Sequence, residues 1–313
     1  MKASTLDDFD NRKKWRRTVG MIAPKTFTIA NDKQVRRLGY GAMRLTGQPG
    51  NFGPYADWEG AKELLRHAVD LGVNFIDTAR AYGPAWNERL VADALHPYSP
   101  ELLIATKGGV VKRSATERYL DGSPEGLRRD CEESLKNLRI DQIDLYQLHW
   151  VDPNTPLADS VSGLAKLREE GKIRNIGLSN IVLDQLKEAV RIVDIASVQN
   201  RFSILEKKDG AIVDFCAARG IASLPYGPLG GDPFKQGSPL TEAEGALAKF
   251  AAKRNATTTQ IAIAWLLHRS ANTIVIPGTT SIQHLEENVA AADLVLGEEE
   301  MRTLSTFGVT TTP

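Results

Sequence analysis

Cysteine is nearly missing from this chain. Cys131 and Cys216 are the only two in 313 residues, which indicates neither a disulfide framework nor a cysteine metal site. Both fall in apparent helices and read as buried thiols of a reducing compartment, and no metal is expected. A run of about 18 apolar residues is also missing, so no bilayer-spanning helix is expected. Charge of one sign is not in excess either. The 39 basic and 39 acidic residues cancel, leaving no global field to attract nucleic acid or an anionic membrane, and neither is expected as a partner. The basic cluster Arg12-Lys13-Lys14-Trp15-Arg16-Arg17 lacks the apolar stretch that follows it in a secretory signal, because Thr18 to Pro24 is too short. Residues 1–24 are therefore read as a flexible N-terminal extension of a cytoplasmic protein. Repeats and low-complexity segments are absent.

What is present is an alternation. Phe27 to Leu38 reads as a hairpin around the polar turn Ala30-Asn31-Asp32-Lys33. After it, short apolar runs alternate with stretches of helical period, such as Ala61, Leu64, Leu65, Ala68 and Leu71. Ser123-Pro124-Glu125 opens one of these helices with an N-cap and a proline at its first position. Eight strands follow the hairpin, around Leu38, Phe75, Leu103, Leu145, Ile176, Val198, Ala222 and Val275. Eight βα units argue for a closed barrel. The competitor is an open doubly wound sheet, but Gly39-x-Gly41 lacks the third glycine of a dinucleotide fingerprint after its first strand.

In such a barrel the C-terminal strand ends converge on one mouth. Here those ends carry Asp77, Lys107, His149, Ser179-Asn180, Gln199, Tyr226 and Gly278-Thr279, with Tyr82 just beyond Asp77. An acid, an ammonium, an imidazole and a phenol gathered there suit reduction of a carbonyl. A phenol titrates near pH 10, and lowering it by about 2 units takes about 3 kcal/mol. An ammonium about 4 Å away at an effective dielectric of about 20 supplies about 4 kcal/mol. Lys107 is therefore expected to depress Tyr82, Asp77 to hold Lys107 charged, and His149 to orient the carbonyl. None of these groups delivers a hydride, so a nicotinamide is required.

From about Phe27 to Phe307 the chain resembles the aldo-keto reductases. The resemblance rests on Asp77-Thr78-Ala79 with Tyr82-Gly83, Ala105-Thr106-Lys107, Asp144 to His149, Lys172 to Asn180, and Val198-Gln199-Asn200, all in family order. The segments Ile221 to Gly231 and Pro277 to Thr280 are similar to the bacterial and yeast branch that includes pyridoxal reductases. The fold expected is a single (β/α)8 TIM barrel over residues 25–313, with the N-terminal hairpin plugging its bottom and extra helices at the C-terminal end.

The resemblance implies a catalytic set of Asp77, Tyr82, Lys107 and His149, with Tyr82 as proton donor. It implies that Ser179, Asn180 and Gln199 hold the nicotinamide carboxamide, with Asp77 beside them, and that Tyr226 stacks on the ring above Gly41, Ala42 and Met43. Tyr226-Gly227-Pro228-Leu229-Gly230-Gly231 would wrap the pyrophosphate. Pro277, Gly278, Thr279, His284, Glu287 and Asn288 would surround the adenosine end. Gly278 and His284 stand where a lysine and an arginine often pair with the 2′-phosphate, so NADPH is the expected carrier with NADH left open. Phe52, Trp86 and Trp150 are the pocket candidates for a small carbonyl substrate. A cofactor-binding redox sensor, as the β subunits of potassium channels resemble, is the alternative to an enzyme, and no stripe of the sequence selects an oligomeric state.

Overall fold

The structure, a computed structural model, describes residues 23–230 and 245–307. It opens on the expected hairpin, β1 (Thr26–Ile29) and β2 (Lys33–Arg36), paired antiparallel with Phe27 opposite Val35. Then come β3 (Tyr40–Gly41), α1 (Trp58–Asp70), β4 (Phe75–Asp77), α2 (Trp86–Leu95) and β5 (Leu103–Gly108). A second hairpin, β6 (Val110–Lys112) and β7 (Arg118–Leu120), precedes α3 (Pro124–Leu138) and β8 (Ile143–Leu148). The alternation continues through α4 (Leu157–Glu169), β9 (Ile173–Ser179), α5 (Leu183–Ala189), β10 (Ser197–Gln199), α6 (Gly210–Ala217) and β11 (Ala222–Ser223). Four helices close the described chain: α7 (Ala246–Lys253), α8 (Thr258–Arg269), α9 (Ile282–Ala290) and α10 (Glu298–Ser305).

Seven strands form one sheet in the order β11-β10-β9-β8-β5-β4-β3, parallel at every pairing. Residues 273–276 bridge both of its edges, Thr273 pairing with Ser223 and Val275 with Leu38. Hydrogen bonds from Ile274 N to Ser223 O and from Gly39 N to Val275 O, each 2.8 Å, carry that connection. The result is a curled, barrel-like α/β sheet. All six residues of β5 are buried, as a strand covered on both faces requires.

Local chemistry sets the helices. Ser123 Oγ accepts from Gly126 N at the start of α3, and Thr257 with Gln260 forms a capping box on α8. Leu127 and Cys131 face the sheet from α3, packed with Ile143, Ile176 and Val198, and Leu138 at the end of the helix packs in the cluster of Val91, Leu102 and Ile104. Cys131 and Cys216 are free and buried, and burial pushes both thiols up to about 12, so neither is a nucleophile at neutral pH.

Ile29 and Val35 of the first hairpin are fully buried among Phe75, Leu103, Leu145, Ala196, Ala222 and Ile274. Each such side chain contributes about 1.5–3 kcal/mol on leaving water. Arg37 is buried and pairs with no acid among the described residues. It donates to the carbonyls of Thr273 and Pro24 at 2.9 Å and also to those of Leu267 and Ser270, tying the 270–275 segment to the chain that follows β2. No helix among the described residues is long and apolar enough to cross a membrane.

Candidate active site

Parallel register brings the polar strand ends level. Asp77 on β4 is opposite Ala105 on β5, Lys107 on β5 is opposite Gln147 on β8, and Gln199 on β10 is opposite Ser179 on β9. Lys107 Nζ lies 2.7 Å from Asp77 Oδ2, 2.9 Å from Thr78 O and 3.3 Å from Tyr82 Oη. The Tyr82 and His149 rings meet edge to face with centroids 5.7 Å apart. The four groups, picked from the ends of three strands, are thus brought together.

The Tyr82 loop owes its shape to residues that the sequence reading did not single out. Thr78 Oγ1 donates to Asn87 Oδ1 at 2.6 Å, and Asn87 Nδ2 donates to the carbonyls of Ala42 and Leu45, both at 2.9 Å. Thr106, next to Lys107, donates to Glu88 Oε1 at 2.6 Å. Asn87 and Glu88 are both fully buried in the first turn of α2. Their signal was available: two polar residues on a helix face that otherwise buries Leu90, Val91 and Ala94, where a polar group persists only if hydrogen-bonded.

Electrostatics overturn one expectation. Lys107 does pull the Tyr82 phenol down, but burial outweighs it and Asp77 adds to the upward push, so the phenol titrates above its ordinary value. The ammonium is already paired with Asp77 at 2.7 Å. Lys107 itself is raised, because Asp77 and Tyr82 together outweigh the cost of burial. His149 is held well below its ordinary value by burial and by the cations of Lys107 and Arg118. At neutral pH the site therefore holds a protonated phenol, an ammonium and a neutral imidazole.

Tyr82 and His149 open on a cavity of about 1260 Å³, larger than the roughly 300–1,000 Å³ of a site for one small ligand, while Lys107 lies behind them, fully buried. Tyr82, His149, Asp77 and Trp150 line one part of it. Ser179, Asn180 and Gln199 also line it, and Gln199 Nε2 donates to Asp77 Oδ1 at 2.8 Å. Asn180 accepts from Tyr226 Oη at 2.7 Å and donates to His149 O at 2.9 Å. Gly41, Met43, Tyr226, Gly227, Pro228 and Leu229 continue the wall, which ends at Pro277, Gly278, Thr279, His284, Glu287 and Asn288.

Several expected members stand elsewhere. Ala42 is fully buried, off the wall, with its carbonyl engaged by Asn87. Gly230 is also off the wall, and Gly231 lies outside the described residues. Neither Phe52 nor Trp86 lines the cavity. Trp86 instead packs edge-on to Trp58 at 6.0 Å, with Arg89 5.2 Å from its ring. The glycine at 278 has a steric cause: a Cβ there would sit 2.5 Å from Gly41 O, and one at 41 would sit 2.7 Å from Ile276 O. Backbone fills the space that a lysine would need to leave the chain.

The Aldo/keto reductase family model matches residues 37–308. The chain belongs to the aldo/keto reductase family. Among its relatives is the pyridoxine 4-dehydrogenase of Escherichia coli, 41% identical over 290 residues, which are 90% of this chain and 98% of the relative. An uncharacterized oxidoreductase of Schizosaccharomyces pombe is 40% identical over 284 residues, 88% of each chain. An aldo/keto reductase from Klebsiella pneumoniae, solved in complex with NADP and acetate, superposes with a TM-score of 0.75 at 27% identity, covering 90% of this chain and 94% of that one. Both sequence relatives fit the pyridoxal-reductase-like branch.

Proposed function

We propose that this protein is an NADPH-dependent reductase that converts aldehydes or ketones to alcohols, with Tyr82 as the proton donor. One observation carries the reading: Lys107 Nζ bridges Asp77 and the Tyr82 phenol beside His149 on a cavity with room for a dinucleotide and a substrate. A dinucleotide fits the residues present. The glycines at 41 and 278 keep side chains off the wall, Asn180 and Gln199 offer amides, and the N-terminus of α9 adjoins Thr279 and His284. The NADP bound by the Klebsiella pneumoniae relative supports the same carrier here.

When bound, the reduced nicotinamide supplies the hydride. The chain does the rest. Neutral His149 offers a ring N–H to the substrate oxygen and orients it without yielding its proton. Tyr82 gives its proton to that oxygen as negative charge develops there. Lys107, held charged by Asp77, stabilises the phenolate left behind, which the raised phenol would otherwise form reluctantly. The pyridoxine 4-dehydrogenase relative supports aromatic aldehydes, pyridoxal among them, as substrates. That its relatives are named as an oxidoreductase and a dehydrogenase gives the sensor alternative no support.

The same reading takes residues 25–313 as one barrel domain. The burial of Ile29 and Val35 among strand side chains supports the hairpin as its bottom plug, and the balanced charge and two buried thiols support a cytoplasmic site of action. The test is Tyr82→Phe, which keeps the ring and removes the proton. Reduction of an aromatic aldehyde should fall at least about a thousandfold while NADPH still quenches protein fluorescence with near-native affinity. Undiminished turnover refutes the assignment.

A further inference from the structure

Three strands hold the Asp77 carboxylate. Lys107 of β5 occupies one of its oxygens, Oδ2, at 2.7 Å. The other, Oδ1, accepts from Gln199 Nε2 of β10 at 2.8 Å and from Gln147 Nε2 of β8 at 3.3 Å. A carboxylate can only accept, which fixes each amide with its nitrogen toward Asp77. Gln147 is fully buried and does not line the cavity, so neither substrate nor dinucleotide touches it. Gly177 of β9 stands in register between Gln147 and Ser197 of β10. A Cβ at 177 would lie 2.7 Å from Gln147 Cγ and 2.3 Å from Ser197 Oγ, so the glycine leaves the width that the glutamine occupies on its way to β4.

Gln147 uses only half of its amide on the protein. Its Oε1 is buried with no hydrogen-bond partner among the described residues, whereas a glutamine serving the fold alone would bond at both ends. The bond it does make goes to the acid that pairs with Lys107. The charged and titratable groups facing Tyr82 are Lys107 of β5, Asp77 of β4, His149 after β8 and Tyr226 after β11. Of these, Asp77 carries the negative charge that opposes a phenolate at Tyr82. Two N–H groups on Oδ1 fix the rotation of that carboxylate, which turns Oδ2 to Lys107, and they draw off part of its charge.

We propose that Gln147 is a positioning residue of the reduction and acts through Asp77: its amide keeps the carboxylate turned toward Lys107 and shares its charge, leaving Lys107 to stabilise the Tyr82 oxygen as the proton departs. This rests on the reductase reading and adds to it a residue beyond the reach of substrate and cofactor. Gln147→Met keeps the length of the side chain and removes the donor. Single-turnover reduction of benzaldehyde by NADPH should slow about threefold to tenfold, with the NADPH Kd and the benzaldehyde KM near their native values. The rise of benzyl alcohol oxidation with pH should move to higher pH, because an acid that has lost one N–H opposes the phenolate more strongly. Gln147→Glu is the conservative comparison. Protonated, its carboxyl donates to Asp77 as the amide does; ionised, it repels Asp77. Reduction by this variant should approach the native rate at the acid end of the profile and fall progressively behind it as the pH rises.

Native reduction and a native oxidation profile in Gln147→Met overturn this proposal and leave the reductase reading standing. A slowed Gln147→Met whose oxidation profile keeps its native inflection also overturns it, since that marks a packing defect. If Gln147→Met does not fold, or alcohol oxidation is too slow to profile, Gln147→Glu decides, and a pH dependence parallel to the native one overturns the proposal. A native protein that turns over neither aldehyde nor alcohol overturns the reductase reading and this proposal with it.

Discussion

Replacing Lys107 by methionine keeps the length of a buried side chain and removes its ammonium, so it isolates what the charge does for Tyr82. Nζ lies 3.3 Å from the phenol oxygen. A unit charge at that separation and an effective dielectric of about 20 is worth about 5 kcal/mol to a phenolate. Asp77, 2.7 Å from the same amine, cancels part of it, and a net loss of about 3 kcal/mol corresponds to about two powers of ten in rate. The variant also leaves the Asp77 carboxylate without its cation, next to a phenol that burial has already raised. Two readouts follow. Single-turnover reduction of an aromatic aldehyde should slow by roughly a hundredfold or more. In the reverse direction, alcohol oxidation needs the phenolate as base, so its rise with pH should move to higher pH than in the native enzyme. NADPH titration by fluorescence establishes that the site still loads. A loss under about tenfold, or an oxidation profile that keeps its native inflection, would refute the view that Lys107 governs the Tyr82 proton.

The close approach of Gly41 and Gly278 gives a counterintuitive result for cofactor engineering: Gly278→Lys, meant to restore a frequent phosphate ligand, should raise the NADPH Kd rather than lower it, because its Cβ meets Gly41 O. A tighter Kd in fluorescence titration would show that the backbone yields there at little cost. Glu88 is fully buried, and burial lifts its carboxyl above the ordinary range despite bonds from Thr106 and Asn137. The folded chain therefore binds a proton that the unfolded chain releases near pH 4.3, and stability is lost as pH rises through the lifted value. In Glu88→Gln the urea midpoint should decline less between about pH 5 and pH 8 than it does in the native protein, and parallel curves would sink the argument.

Much of this architecture was legible because period and position carried it. The eight strand positions come from short apolar runs bounded by polar residues, and the strand ends from where those runs stop. Lys107 illustrates why that worked: a fully buried lysine at the end of β5 persists only with a partner, and the partner had to come from a neighbouring strand end. Other elements gave no such signal. β6 and β7 alternate weakly and bury only Val110, so their pairing is set by each other rather than by a core. α7 and α10 bury few side chains and blur into the polar stretches around them. Trp86 and Phe52, named as pocket candidates, do not line the cavity, because a lone aromatic in a sequence does not say which surface it faces, and Trp86 packs against Trp58 and Arg89.

The larger misreading concerns energy rather than place. From distance alone an ammonium beside a phenol argues for a lowered phenol, since only the favourable Coulomb energy is visible in a list of residues. Burial is invisible there, and it wins in the free site: the Tyr82 hydroxyl loses water on leaving the surface, while Lys107 shares its charge with Asp77. That outcome suits a donor. A phenol raised above its ordinary value stays protonated throughout the neutral range, ready to protonate a carbonyl oxygen, and the positive charge of Lys107 acts when the proton departs and the phenolate needs stabilising. The same arrangement handicaps the reverse reaction, which must begin from that phenolate. On the proposed reading, the neutral His149 beside it, unable to give up a proton it does not carry in excess, leaves Tyr82 to supply the proton.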